Sequence, residues 1–407
     1  MISLLNSSKG KFMVNNVYVA GLGCISALGC GVGKQIESLV SGESGIVPLT
    51  LFETMHEVVA GEVALSNTEL SEMLGLSPGK EYSRTTLLGL TAAKEALEDS
   101  GLNPSEHRIG LISATSVGGM DVSEQFYREY LPDNRRGRLR QLIGHDCGAS
   151  TQFIYDHLGL NSFCTTINTA CSSANNAIML GTRMIKAGML DAVIAGGTDA
   201  LCRFTVNGFS SLGILDSKNC RPFDATREGL NLGEGAGYLL LVSEKIMSVK
   251  RYSRVAGYSN ANDAFHQTAS SASGEGAYMA MSGAIEMSNI DKCDIGYINV
   301  HGTGTPNNDS SEAIAMKRLF GDKIPPYSST KGFTGHTLGA AGGIESLFTV
   351  LSVYGGYIWP NLNFSEMMDE CDVPPQTTLK RGVHIRSAMT NSFGFGGNCT
   401  TLIFDKV

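Results

Sequence analysis

Residues 163–188 read FCTTINTACSSANNAIMLGTRMIKAG, from Phe163 to Gly188. The opening run, Phe163 to Ile167, is aromatic and β-branched, a composition that favours a strand. After Cys171, the residues Ala174, Ala177, Ile178, Gly181, Met184 and Ile185 recur at three- and four-residue steps, and Gly188 stands where a helix would end. The segment therefore predicts strand, tight turn and helix, with Cys171 at the junction. A thiol in the first turn of a helix faces unpaired N–H groups and the positive end of the macrodipole, which lower its pKa and favour the thiolate. The alternative is a small buried hydrophobe, the usual fate of an intracellular cysteine.

Around this unit lie 407 residues, 42% of them hydrophobic and only 17% charged, enough to bury a large α/β core as one domain or two closely packed halves. A net charge of -8 argues against nucleic acid as the partner, because binding phosphates requires a broad basic face. The ten cysteines show neither C-x-x-C pairs nor zinc-like spacing with histidine. They predict reduced thiols in a cytoplasm, with no metal and no cofactor. The N-terminus, MISLLNSSKGKFMV, lacks a signal-peptide pattern, and no stretch approaches the roughly twenty apolar residues of a membrane span, so no membrane insertion is expected.

Val17 to Ala20 reads as a strand entering GLGCISALGCGVG. Gly21, Gly23 and Gly29 resemble a dinucleotide loop only weakly, since no acidic residue follows a second strand at the expected distance. Close approach of backbone to backbone is the simpler account. Arg84 to Ser100 has the pattern of an amphipathic helix stopped by Gly101, and Arg108 to Ala114 follows as a strand. DNRRGRLR, from Asp133 to Arg140, is either a solvated loop or a docking patch for an acidic partner. The strand Ala192 to Ala195 completes a β-α-β pattern that implies parallel strands. RPFDATREGLNLGEGAGYLLLV reads as a structural corner, because Arg221, Asp224, Arg227 and Glu228 can satisfy one another.

From about Gly257 the pattern begins again. A strand over Gly296–Val300 leads into HGTGTPNNDSSEAIAMKRLFG, where Asn308 or Asp309 can cap a helix that Gly321 ends. STKGFTGHTLGAAGGIESLFTVL passes through Lys331 and His336 into another helix, and strands over Val383–Asn391 and Cys399–Phe404 flank the turn SFGFGGN. Two runs of similar size predict an internal duplication: an N-terminal extension over 1–16, a first half over 17–256 and a second over 257–407.

In α/β architectures the C-terminal ends of strands gather on one edge of the sheet, so His301, Lys331 and His336 are placed to converge there. A thiolate that attacks an acyl carbonyl needs N–H donors for the oxyanion. The turn Ser392–Gly397 is placed to add one to the helix N-terminus at Cys171. Two neutral imidazoles, which donate without delivering a formal proton, suit the enolate left when a malonyl thioester loses carbon dioxide. Hydrolysis would need only one base.

TACSSA, RPFDATREGLNLGEGAG, VHGTGTPNNDSSEA, STKGFTGHTLGAAGG and NSFGFGG, in this order and spacing, resemble an elongating β-ketoacyl-[acyl-carrier-protein] synthase of the thiolase superfamily, over Val17 to Phe404. The resemblance implies a five-layered αβαβα fold of two pseudo-duplicated halves. It implies acyl carrier protein, acyl-loaded and malonyl-loaded, as partner, and a homodimer or a heterodimer with a chain-length-factor-like subunit. Cys171 matches the nucleophile, His301 and His336 the decarboxylation pair, Lys331 the organising lysine, and Glu312 and Glu345 the supporting acids. The N–H groups of Cys171 and Phe395 match the oxyanion hole. Phe209, Phe393 and Phe395 match the acyl pocket and its gate, and Arg84, Arg135, Arg136 and Arg138 fall near carrier-protein docking positions.

Asn168, Leu230, Phe333 and Asn398-Cys399 depart from frequent family residues and leave the acyl chain open. Chain-length-factor-like subunits typically lose the cysteine, thiolases carry a second cysteine where Phe395 stands, and initiating synthases commonly replace one histidine by asparagine. This chain does none of these.

Overall fold

The computed structural model describes residues 16–407. The extension expected over 1–16 lies, but for Asn16, outside them.

Apart from the short strand Gly29–Cys30 and the hairpin Ile46–Pro48/Val59–Gly61, five strands build the first half: β1 (Val17–Ser26), β2 (Ile109–Ala114), β3 (Cys164–Ile167), β4 (Ala192–Asp199) and β5 (Gly235–Ser243). Five build the second: β6 (Ser253–Asn262), β7 (Ile295–Asn299), β8 (Tyr327–Ser328), β9 (Ser387–Gly394) and β10 (Asn398–Asp405). In space the first half runs β1-β5-β4-β2-β3 and the second β6-β10-β9-β7-β8. The pairings repeat as well. β1/β5 and β5/β4 are antiparallel while β4/β2 and β2/β3 are parallel, and β6/β10, β10/β9, β9/β7 and β7/β8 follow the same pattern. The internal duplication is therefore written in the topology. The halves meet where β1 and β6 pair antiparallel through Tyr18 with Arg254 and Val19 with Ser253. Since β6 begins at Ser253, the expected division at 256/257 would cut a strand, and we place it in the connection 244–252.

The helices make the remaining layers. Eight of them, numbered in chain order, are α1 (Arg84–Ser100), α2 (Met120–Tyr130), α3 (Cys147–His157), α4 (Ser173–Lys186), α5 (Arg203–Ser211), α6 (Glu275–Ser288), α7 (Pro306–Phe320) and α8 (Ala341–Gly355); shorter or peripheral helices cover Val32–Ser41, Asn67–Met73 and Lys331–Thr334. α4 and α8 touch strands of both halves and each other, forming the middle layer, while α1 covers the outer face of the first half and α6 that of the second. The result is αβαβα. A strand covered on both faces should be buried throughout and largely apolar, and β5 is: Leu239 and Leu241 enter the central core while Leu240 and Val242 enter the core beneath α1. In β10, Leu402 and Phe404 face the centre and Ile403 the core beneath α6.

Leu338–Gly355, which contains α8, is apolar and long enough to cross a membrane, yet 89% of it is buried inside the fold. That burial is what a central helix between two sheets requires.

Gly21 and Gly23 belong to β1 itself, where a Cβ would overlap the carbonyl oxygens of Ala96 and Ala92 in α1. They let helix backbone rest on strand backbone. Gly23→Ala should therefore destabilise the protein by about 1–3 kcal/mol through overpacking. Gly33→Ala, at a helical position with open space around it, should be neutral or stabilise by about 0.5–1 kcal/mol. Urea unfolding of the two variants would separate these outcomes.

Candidate active site

The ends of the parallel strands and their neighbours supply every candidate group. Cys171 follows β3, one residue before the N-cap Ser172 of α4. His301 follows β7, Lys331 and His336 follow β8, and Phe395 follows β9. The turn carrying the thiol is strained: Ala170 has φ of 52°, a left-handed conformation that non-glycine residues seldom adopt. Ser173 holds it by accepting from Thr169 N (2.8 Å) through its Oγ, which also bonds Ala170 O at 2.5 Å. Opposite stands the turn after β9, where a Cβ on Gly394 would meet Thr169 O at 2.8 Å and Cys171 N at 3.2 Å. Glycine thus allows the backbone of the second half to lie against the nucleophile turn of the first. The backbone N–H groups of Phe395 and of Cys171 itself act on the sulfur in favour of the thiolate.

Lys331 is buried and its ammonium is fully committed. Nζ donates to His301 O at 2.7 Å, lies 3.3 Å from His301 Nδ1 and pairs with Glu345. An ammonium beside Nδ1 leaves the ring proton on Nε2. The Leu338 N–H donates to His336 Nδ1 at 3.3 Å, which sets the same tautomer there. The two rings lie edge to face with centroids 5.4 Å apart. Burial and the positive charge of Lys331 hold both imidazoles well below their ordinary pKa. Both are therefore neutral Nε2–H donors at physiological pH.

The acids divide by what they hold. Glu312 accepts from His301 N (3.0 Å), Gly302 N (2.9 Å) and Asn391 Nδ2 (3.0 Å), and burial pushes its carboxyl up to about 7. Glu345 is likewise pushed up to about 7 by burial, with Lys331 opposing. Asp309 does not cap α7. Thr305 occupies the N-cap with Pro306 behind it, and Asp309 instead accepts from Phe223 N (2.8 Å) and Thr303 N (3.0 Å). The 221–228 corner closes on itself only in part: Arg221 pairs with Glu228 and also with Asp216, Arg227 bonds Asp224 O (2.9 Å) and also Ser310 Oγ (2.7 Å) in the second half, and Asp224 takes the N–H groups of Ser365 and Glu366. Beyond that corner, His336 N donates to Asn231 O (2.7 Å) and Gly233 N to His336 O (2.9 Å), so this block braces the histidine.

A cavity of about 340 Å³ opens between these groups, lined by Cys171, His301, His336, Phe209, Phe393 and Phe395 among others. Phe209, from α5, stacks on Phe395 with centroids 5.7 Å apart, and Phe393 packs against His301. The cavity joins a thiol, two neutral N–H donors and an apolar wall with an aromatic stack.

Two expectations are corrected. Arg84 is 2% exposed, with Nε and Nη2 on Glu234 (2.6–2.9 Å) and its remaining N–H groups on Leu65 O, Asn67 Oδ1 and Val63 O. A fully bonded buried guanidinium cannot dock a partner; it ties α1 to β5. Arg135, Arg136 and Arg138 do lie exposed, the first two beside Asp133. The Cys171 thiol is not activated by its place at the start of α4. Burial pushes it up to about 12, outweighing the Lys331 charge and the two N–H groups that favour the thiolate.

Two residues carry more of the site than their sequence suggested. Asn398 Oδ1 accepts from Ser172 Oγ (2.7 Å), Asn176 Nδ2 (3.0 Å) and Asn260 Nδ2 (2.7 Å), pinning the start of α4 to the second half. Asp199, the last residue of β4, is buried and accepts from Thr115 Oγ1 (2.6 Å), Ser116 N (2.8 Å), Val117 N (3.2 Å) and Gly339 N (2.7 Å). An acid that closes an otherwise apolar strand, AVIAGGTD, was the available signal.

Residues 14–245 match the family model for the β-ketoacyl synthase N-terminal domain, and residues 252–365 match that for the C-terminal domain. The chain is 33% identical over 410 residues to a 3-oxoacyl-[acyl-carrier-protein] synthase 2 of Staphylococcus aureus (strain COL), covering 96% of this chain and 98% of that one. Among solved structures, the ishigamide ketosynthase/chain length factor superposes with a TM-score of 0.91 at 29% identity, covering 97% of this chain and 99% of the other. A type II polyketide synthase acyl-carrier protein in complex with its ketosynthase bound to the hexaketide gives 0.88 at 25% identity, covering 97% and 100%.

A thiol held protonated makes a kinetic signature. Alkylation of Cys171 by iodoacetamide should accelerate about tenfold per pH unit between pH 7 and 9, following the thiolate fraction. Lys331→Met should slow it at every pH by removing the cation that favours the thiolate. Intact-mass measurement of the alkylated fraction tests both; a plateau near neutral pH would contradict the raised thiol.

Proposed function

Because the chain belongs to the β-ketoacyl synthase family, we propose that it condenses an acyl group held on Cys171 with malonyl-acyl carrier protein, giving 3-oxoacyl-acyl carrier protein and carbon dioxide. It is an acyltransferase of fatty acid or polyketide chain elongation. The single observation that carries the assignment of roles is the convergence on one cavity of Cys171 with two neutral histidines in the Nε2–H tautomer.

In the first half-reaction the Cys171 sulfur attacks the acyl thioester. The tetrahedral oxyanion lies against the N–H groups of Cys171 and Phe395, and the departing carrier thiol takes the proton that cysteine gives up. A thiol that burial holds neutral avoids burying a permanent anion. In the second half-reaction the malonyl carbon–carboxylate bond breaks and the electron pair moves into an enolate. His301 and His336 donate Nε2–H to the enolate oxygen, whose carbon then attacks the acyl-cysteine. The Cys171 thiolate leaves and takes up one proton. Lys331 acts by fixing His301 and by keeping both imidazoles neutral, and Glu345 balances its charge. Glu312 holds the backbone at His301. Phe209, Phe393 and Phe395 line and gate the acyl path.

The same reading makes acyl carrier protein the partner, with Arg135, Arg136 and Arg138 as its docking cations, and a second ketosynthase-fold chain, identical or chain-length-factor-like, the companion subunit. We place the enzyme in the cytoplasm, where its carrier-bound substrates are made.

Cys171→Ala should abolish both self-acylation and 3-oxoacyl product, a loss of about a thousandfold or more. His336→Ala should retain acylation and lower decarboxylation about a hundredfold. Mass spectrometry of protein and carrier products decides both, and a Cys171→Ala enzyme that behaves like wild type ends the proposal. Charge reversal at Arg135, Arg136 and Arg138 should raise the apparent KM for carrier-bound substrates about fivefold or more while sparing small acyl thioesters. Equal loss on both substrates would argue against docking.

A further inference from the structure

Behind the site lies a buried carboxylate that reaches across the halves and that the two half-reactions above do not use. Asp199 is fully buried at the end of β4, in the first half of the chain, yet one of its oxygens accepts from Gly339 N at 2.7 Å in the second. Gly339 follows directly on Leu338, whose N–H donates to His336 Nδ1. Leu338 itself sits at φ of 51°, a conformation that a leucine adopts only when its surroundings impose it. The contact is tight from both sides: a Cβ on Gly339 would meet Asp199 Oδ2 at 2.8 Å and Ser116 N at 2.9 Å. The carboxylate is in turn held by Thr115 and by the N–H groups of Ser116 and Val117, at the end of β2.

We propose that Asp199 is a positioning residue for decarboxylation: its buried carboxylate anchors the strained Leu338–Gly339 turn, and the Leu338 N–H thereby keeps His336 presenting Nε2–H to the cavity. This rests on the role given above to His336. Without the anchor the turn relaxes toward ordinary dihedral angles, the Leu338 N–H leaves Nδ1 and the imidazole is free to change tautomer or rotate. Asn at 199 would keep shape and volume but set an amide N–H₂ against one of the N–H donors that now converge on the carboxylate. The Cys171 turn has its own supports in Ser173 and Asn398, and the Asp199 charge acts on the thiol only by disfavouring the thiolate, so loss of that charge does not slow the first half-reaction.

The test separates the half-reactions in the full-length protein. Self-acylation by octanoyl carrier protein and loss of carbon dioxide from malonyl carrier protein are followed by mass spectrometry for wild type, Asp199→Asn, His336→Ala and the double variant. The expected result is acylation within about twofold of wild type in Asp199→Asn, with decarboxylation down about tenfold or more. The double variant should be no slower than His336→Ala alone, because both changes act through one ring. Parallel loss of both half-reactions, no loss of decarboxylation, or losses that multiply in the double variant would each overturn the proposal. Gly339→Ala disturbs the same contact from the other side, and should give the same split even where Asp199→Asn fails to fold. If His336→Ala decarboxylates like wild type, the role of His336 itself falls, and the anchor with it. If His336→Ala is impaired and Asp199→Asn is not, only the anchor falls.

Discussion

Gly343, in the first turn of α8, lies so close to Gly237 of β5 that a Cβ on it would overlap the Gly237 carbonyl oxygen. Much of the molecule depends on that contact. A helix normally stands about 10 Å from a sheet because side chains fill the gap, but here backbone meets backbone. The approach draws the start of α8, and with it the segment from Lys331 to Gly339, down onto strands of the opposite half. Gly197, which precedes the end of β4, is equally restricted, since a Cβ there would meet Gly339 O at 2.7 Å. Two β1–β6 residue pairs alone would be a weak join between halves; the close-packed middle layer makes them one body.

That closeness sets the electrostatics. A lone buried ammonium would be costly, and Lys331 is tolerable because Glu345, His301 O and His301 Nδ1 surround it. Its charge then acts in a medium too apolar to screen it. The imidazoles are kept from protonating, and the Cys171 thiolate is favoured, though less strongly than burial disfavours it. One cation therefore biases three groups in the direction condensation requires, and the thiol awaits an acyl thioester before its charge can be stabilised.

The strand–turn–helix around Cys171 was legible because its alternation and three-to-four-residue periodicity are local. The αβαβα duplication was legible as two runs of similar elements, and the structure turns that into a matched order and sense of pairing. What sequence could not reveal was which polar groups are inside. Arg84 opens an amphipathic helix and looks like a surface cation; only the arrival of Glu234, just before β5 and 150 residues away, makes it a core residue. The helix dipole at Cys171 is visible from a pattern, whereas the burial that overrides it depends on the Gly394 turn closing over the thiol. Asp199 and Asn398 work across the halves, so no window of sequence contains both ends of their interactions.

The duplication also explains how duties are shared. β3 and β8 occupy equivalent places; the first is followed by the nucleophile, the second by Lys331 and His336. β2 and β7 are equivalent, and after them come Thr115 and His301. β4 ends on Asp199, where its counterpart β9 ends on Gly394, beside Phe395. Two of these pairs thus send one chemical group and one supporting group to the same edge, and the third, β3 with β8, sends the nucleophile from one half and His336 with Lys331 from the other. A repeated scaffold left undiverged would place two identical sets there, with no histidine pair for the enolate of the malonyl half-reaction. Divergence at the strand ends, with the strands and the glycine contacts retained, gives a single cavity in which one half holds the acyl group and the other prepares the carbon that attacks it.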